Sequence, residues 1–286
     1  MTFPKILSTA LFCSSALITS AFITTTKAHS AACPSDATTI SELSEWETVT
    51  GGDCRGTPSI YGLTVYSMGF CTANPAAGGS GATPDYSTCE LTYSNTSGEY
   101  TSFAADEISS LSAGTTTLPA ANTYGYAIIK FAKTFKLKGQ YGPLGDGKTY
   151  YSSGDAPNNT TGNTSTDSAD LTTYDAPMNN FSGASPTVCQ SISDDIDRTS
   201  LTLTGYLLDS SGDIVVNSGA SGNCSGVQDV LGVAAFKPGY EVTITSATTS
   251  LTATFTVKDN GMTLYRSSDG GLTMDSGPFN VTFTIE

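Results

Sequence analysis

From Ile60 onward several stretches of the chain alternate apolar and polar positions with a period of two, the spacing that sends successive side chains to opposite faces of a strand. Ile60 to Phe70 (IYGLTVYSMGF) and Thr88 to Tyr93 (TCELTY) read as strands on either side of the breaker Gly78-Gly79-Ser80-Gly81. They predict a hairpin tied at its far ends by Cys71 and Cys89. Thr123 to Lys138 is the longest strand candidate. The pattern resumes in Ser200 to Asp209, Asp213 to Asn217, Asp229 to Phe236, Glu241 to Ala247, Ser250 to Lys258, Met262 to Arg266 and Phe279 to Ile285. Asp259-Asn260-Gly261 marks a tight turn, because Asn and Gly accept positive φ. Helix signals are few: Thr39 to Val49, where Thr39 and Glu42 are spaced as a capping box, and one turn over Ala105 to Leu111.

Ten to twelve short strands with frequent turns predict an all-β protein, an antiparallel β-sandwich built as one large unit or as two in tandem. An outer-membrane barrel is the rival β architecture, but it favours a C-terminal aromatic where this chain has Thr284-Ile285-Glu286. Residues 139–188 differ in kind, being dominated by Gly, Asn, Thr, Ser, Asp and Pro without a regular period. They read as a long polar insertion or a linker between an N-terminal β region, 31–138, and a C-terminal one, 189–286.

The first thirty residues read as a secretory signal peptide. Lys5 supplies a basic start, Ala10 to Ile23 an apolar run too short for a comfortable span, and Ala28-His29-Ser30 small residues for cleavage. Lipid attachment at Cys33 is the competing reading, although Ser30-Ala31-Ala32 lacks the usual large aliphatic residue three positions back. Cleavage removes His29, the one histidine, together with Lys5 and Lys27. That leaves 10 basic against 26 acidic residues, a net charge of −16 where the whole chain has −14. No membrane span is expected in the mature chain. The acidity argues against nucleic acid as a partner.

Cys33, Cys54, Cys71, Cys89, Cys189 and Cys224 remain, an even set that reads as three disulfides formed in an oxidising compartment. Nearest-neighbour pairing gives Cys33 with Cys54, Cys71 with Cys89, and Cys189 with Cys224. With no mature histidine, nucleophile–imidazole catalysis and His-based metal sites are excluded, and bridged cysteines exclude a thiolate. Paired carboxylates are what remain, as in glycoside hydrolases, yet nothing marks a pair. Calcium is the one cofactor the acidic stretches raise. Asp194-Asp195-Ile196-Asp197 is either a calcium or carboxylate site or a solvated loop, and Asp209-Ser210-Ser211-Gly212-Asp213 reads more simply as a hairpin turn.

Lys130 to Lys138 is the most distinctive stretch. Period two puts Ile129, Phe131, Phe135 and Leu137 on one face and Lys130, Lys136 and Lys138 on the other, with Lys133 on the apolar face near an end or edge. The lysines read either as edge-strand charges that discourage aggregation or as a basic face that meets the acidic surface of another copy. Tyr141, Tyr150, Tyr151 and Tyr174 of the insertion offer rings for stacking on sugars, or else pin the loop.

The stretches Gly52-Asp53-Cys54-Arg55-Gly56-Thr57-Pro58, Tyr61 to Thr72 and Tyr124 to Lys138 together resemble a loose group of uncharacterised secreted β-rich proteins of marine Gram-negative bacteria. The resemblance covers about a third of the chain. It implies a Gram-negative secreted context and carries no activity and no site residue.

The expected function is that of a secreted, non-enzymatic cell-surface or extracellular structural or interaction protein, self-associating as a filament or matrix subunit. The destination is the cell surface or extracellular space, with the periplasm the other oxidising compartment open to it. A glycan-binding adhesive module is the alternative, and a carboxylate-dependent glycoside hydrolase the lesser one.

Overall fold

The computed structural model describes residues 54–104, 111–145, 147–154, 164–179, 191–197, 200–216, 224, 226–266, 271–277 and 279–286. The signal peptide, the Thr39 to Val49 helix and all but the last residue of the Ala105 to Leu111 turn lie outside them. Among the described residues there is no α-helix, and the regular structure is antiparallel β with two short 3-10 turns.

The strands are β1 (Cys54–Gly56), β2 (Ile60–Cys71), β3 (Cys89–Phe103), β4 (Thr115–Thr116), β5 (Asn122–Tyr124), β6 (Tyr126–Ala132), β7 (Thr134–Lys138), β8 (Gln140–Tyr141), β9 (Tyr150–Ser152) and β10 (Thr164–Ser165). They continue with β11 (Tyr174–Pro177), β12 (Ser191–Asp197), β13 (Leu201–Asp209), β14 (Val227–Phe236), β15 (Val242–Ile244), β16 (Leu251–Thr256), β17 (Met262–Arg266), β18 (Leu272–Ser276) and β19 (Asn280–Ile285). Nine of them form one sheet in the order β11-β7-β2-β6-β14-β13-β12, with β3 and β4 on the far side of β2. Smaller sheets are β1-β17-β18, β8-β9-β10, β5-β15 and β16-β19. Strands from before residue 138 pair with strands from after 189 in β6-β14, β1-β17 and β5-β15, so both regions contribute to the same sheets.

The inward residues of the large sheet pack on β16 to β19. Tyr61, Leu63, Val65, Phe131, Phe135 and Leu137 share one core with Val257, Met262, Leu264, Leu272, Met274 and Phe279. Phe279 is the keystone. Its ring centroid lies 6.1 Å from Tyr61, 6.1 Å from Phe131 and 5.5 Å from Phe255, each edge-on, so one side chain ties the two layers together. A second aromatic group, with Phe283 packed on Phe70 at 4.9 Å and on Phe236 at 5.9 Å, extends the seam.

Several expectations need correction. Thr123 to Lys138 is not one strand but three, interrupted at Gly125 and Lys133. Among the described residues the longest strand is β3, and it continues well past the expected end at Tyr93. β2 and β3 do form the predicted hairpin, but Cys71 and Cys89 face each other at the end next to the loop, closing its base. Of Asp213 to Asn217, Asn217 lies outside the described residues and the rest contribute an isolated bridge, Leu208 to Ile214, and not a strand. The Asp259 turn exists, with positive φ at Asp259 itself. It joins strands of different sheets, because β16 pairs with β19 while β17 pairs with β1 and β18.

Described residues of the polar segment take part in the fold. Leu144, Tyr150 and Tyr174 enter the main core, and β11 adds to the large sheet through β7. Substitution Phe279→Ala removes the shared ring and is expected to cost about 3–5 kcal/mol, the range for a large aromatic lost from a packed core. Urea unfolding checks this; a loss below about 1 kcal/mol would mean the two layers do not meet there.

Candidate functional site on the outer face of the sheet

The lysine strand is internal. β6 is paired to β2 and β14, and β7 to β2 and β11, so the edge-strand reading of its lysines is wrong. Alternation fixes which face a residue takes but not how many neighbours its strand has. The acidic stretch Asp194-Asp195-Ile196-Asp197, expected in a loop, instead lies on β12, the outermost strand at the other end of the sheet.

On the faces, the period-two expectation holds: Ile129, Phe131, Phe135 and Leu137 are buried. Lys130 and Lys136 point outward, and each meets a carboxylate of its own chain. The Lys130 ammonium lies 3.0 Å from Asp229, two residues along from its cross-strand partner Leu231, and 5.7 Å from the centre of the Tyr66 ring. Lys136 lies 2.6 Å from Asp175, its direct partner on β11, and this hydrogen bond raises its pKa. Lys138 ends β7, its carbonyl accepting from the Ser59 backbone. Lys133 sits at the break between β6 and β7 and donates to the Val227 carbonyl at 2.7 Å.

Tyrosines complete this face. Tyr100, half exposed, lies across Gly62; a Cβ at Gly62 would fall 2.4 Å from its hydroxyl oxygen. Tyr66 lies against Gly98, where a Cβ would fall 2.9 Å from the ring. Tyr86 stands at the margin, its hydroxyl pushed up to about 12 by partial burial and by the Asp229 carboxylate. At the other end of the face the loop after β2 covers an apolar group that includes Ala76, Ile128, Leu208, Ile214 and Leu231. The disulfide of Cys71 and Cys89 holds the base of that loop.

Tyr66 and Tyr100 were not among the expected site residues. Tyr66 had left a signal, an aromatic on the outward parity of Gly62 and Thr64. The tyrosines singled out from 139–188 divide differently: Tyr150 and Tyr174 are buried, the latter donating to the Met274 carbonyl, and Tyr141 packs against the core. These contacts tie the segment to the core at Tyr141, Tyr150 and Tyr174.

Of the six expected cysteines, Cys71 and Cys89 are bonded to each other, and Cys54 and Cys224 are also disulfide-bonded and buried. Cys33 and Cys189 lie outside the described residues. Asp209 to Asp213 is the predicted hairpin turn: the Asp209 carboxylate accepts from the Ser211 and Asp213 amides, and the Asp213 carboxylate takes the Thr83 hydroxyl. Among the described residues no three His, Cys, Asp or Glu side chains gather as a metal site.

One carboxyl stands apart from the surface pairs. Asp275 on β18 is opposite Thr263, which is opposite Arg55 on β1, and burial raises its pKa. The folded protein therefore holds the Asp275 proton more tightly than the unfolded chain does. This contribution favours folding at pH values below the ordinary carboxylate range and is lost as pH rises through the raised folded value. Asp275→Asn is expected to raise the melting temperature at neutral pH, with the gain vanishing in acid; an unchanged or lowered temperature at neutral pH would contradict it. Comparison of the chain with protein-family models, curated proteins and solved structures finds no match.

Proposed function

We propose that this is a secreted, non-enzymatic protein of the cell surface or extracellular space that acts by binding, with the outer face of the large sheet as its contact surface. The observation that supports this is the set of side chains held there in fixed positions: two tyrosine rings seated on glycines beside two ion pairs, on a sheet whose covering loop is closed by a disulfide. Rings and charges already fixed lose little side-chain freedom on contact, which favours recognition. The disulfide suits an oxidising compartment, in keeping with the expected export.

The lysines lend less to head-to-tail assembly than their sequence pattern suggested, since Lys130 and Lys136 are engaged within the chain. A second reading, a filament or matrix subunit, draws on a different feature. β16 and β19 form a two-stranded sheet, leaving each with one edge that no strand covers among the described residues. Such edges accept a strand from a neighbour.

Beads coated with the chain from residue 31 are expected to adhere to intact Gram-negative cells. Coating with the Tyr66→Ala, Tyr100→Ala double variant should reduce adhesion at least tenfold at an unchanged melting temperature. Equal adhesion by the two coatings would contradict the binding role of this face. Ordered polymers in electron micrographs of the purified protein would favour the second reading.

A further inference from the structure

The outer face contains the same constellation twice. Across the strands in one row lie Tyr100 over Gly62, then Lys136, then Asp175. In the other lie Tyr66 against Gly98, then Lys130, then Asp229. Each row has a ring on a glycine seat, followed by an ammonium paired with a carboxylate. On β2 the partners of Lys136 and Lys130 are Gly62 and Ser67, five residues apart, so the two ion pairs are separated by about 15 Å at about 3.3 Å per residue. The first row spans β3, β2, β7 and β11 and the second β3, β2, β6 and β14, so each is about 14 Å across at about 4.8 Å between strands.

We infer that this face binds an extended neutral polysaccharide, with the two Tyr–Lys–Asp sets as equivalent subsites for successive stretches of one chain. The inference rests on the binding role proposed above and names its ligand class. Three observations select a polymer that is polyhydroxylated and uncharged. The rings lie on the sheet over Gly62 and Gly98, and Tyr100 stays half exposed, which leaves apolar surface of the kind that packs against the C–H face of a sugar ring. The Lys–Asp pairs neutralise themselves while keeping donors and acceptors side by side, the arrangement a hydroxyl group uses by donating and accepting together. The chain as a whole carries net charge −14, which repels polyanions. Duplication of the set at a distance of about 15 Å favours a chain over a single sugar, because linking two weak contacts raises the overall affinity.

Gly62 and Gly98 are positioning residues in this account. A methyl group at Gly62 would fall 2.4 Å from the Tyr100 hydroxyl oxygen, so the ring must move off its seat. Affinity electrophoresis through gels containing agarose, galactomannan or alginate tests the inference on the protein from residue 31. Retardation is expected with at least one of the two neutral polymers and not with alginate. Tyr100→Ala and Tyr66→Ala should each weaken it at least tenfold, and Gly62→Ala should do so at an unchanged melting temperature. Galactose or mannose alone should not compete at concentrations where galactomannan oligomers do. Free migration through both neutral polymers, retardation by alginate alone, or equal retardation of wild type and the tyrosine variants would overturn it. If bead adhesion to cells survives periodate but is lost on protease treatment, the partner is a protein. The polysaccharide inference then fails while the binding role of the face stands.

Discussion

The register of β2 against the successive strands β6 and β7 is the constraint on which the rest depends. Val65 faces Phe131 and Tyr61 faces Leu137, so on both sides of the break at Lys133 the apolar parity of one strand meets that of the other. A slip of one residue would turn Phe131, Phe135 and Leu137 outward and bury Lys130 and Lys136 without their carboxylates. Burying those apolar side chains sets the inner face, and the same step sets which groups stand outside. The composition of the outer face is thus a consequence of how the core is built.

The core answers this with a second layer from the far end of the chain. Phe255, Phe279 and Val281 reach the large sheet from residues far away in sequence, and Phe279 meets rings from both β2 and β6. A chain with few charged residues and many threonines can form such layers because threonine tolerates the half-exposed side of a strand while its apolar neighbours pack. In β16 and β19 the pairs Thr252 with Thr284 and Thr254 with Thr282 stand opposite each other, beside Ala253 with Phe283 and Phe255 with Val281.

Much of this was legible in the sequence wherever alternation was strong: β2, β13 and β19 show it, and proximity alone paired Cys71 with Cys89. What alternation does not encode is neighbourhood. It assigned Lys130 and Lys136 to one face correctly, yet could not say that their strands lie inside the sheet or that Asp229 and Asp175 stand beside them, since those contacts join distant segments. Short strands in polar surroundings were also hidden: Tyr174 to Pro177 reads as loop until its pairing with Phe135 and Lys136 is known. Tyr66 was visible as an aromatic on the wrong parity. Tyr100 was not, because the strand containing it runs through a turn-like stretch, Ser94 to Gly98, that ends the apparent pattern.

The central claim is that function resides on the outer face, at rings seated on glycine. Tyrosine-selective NMR of the protein on addition of galactomannan or agarose oligomers examines it ring by ring. The account predicts shifts for Tyr66 and Tyr100, with Tyr61, Tyr124, Tyr150 and Tyr174 unmoved in the core. Shifts confined to Tyr141 and Tyr151, or none at all, would contradict it.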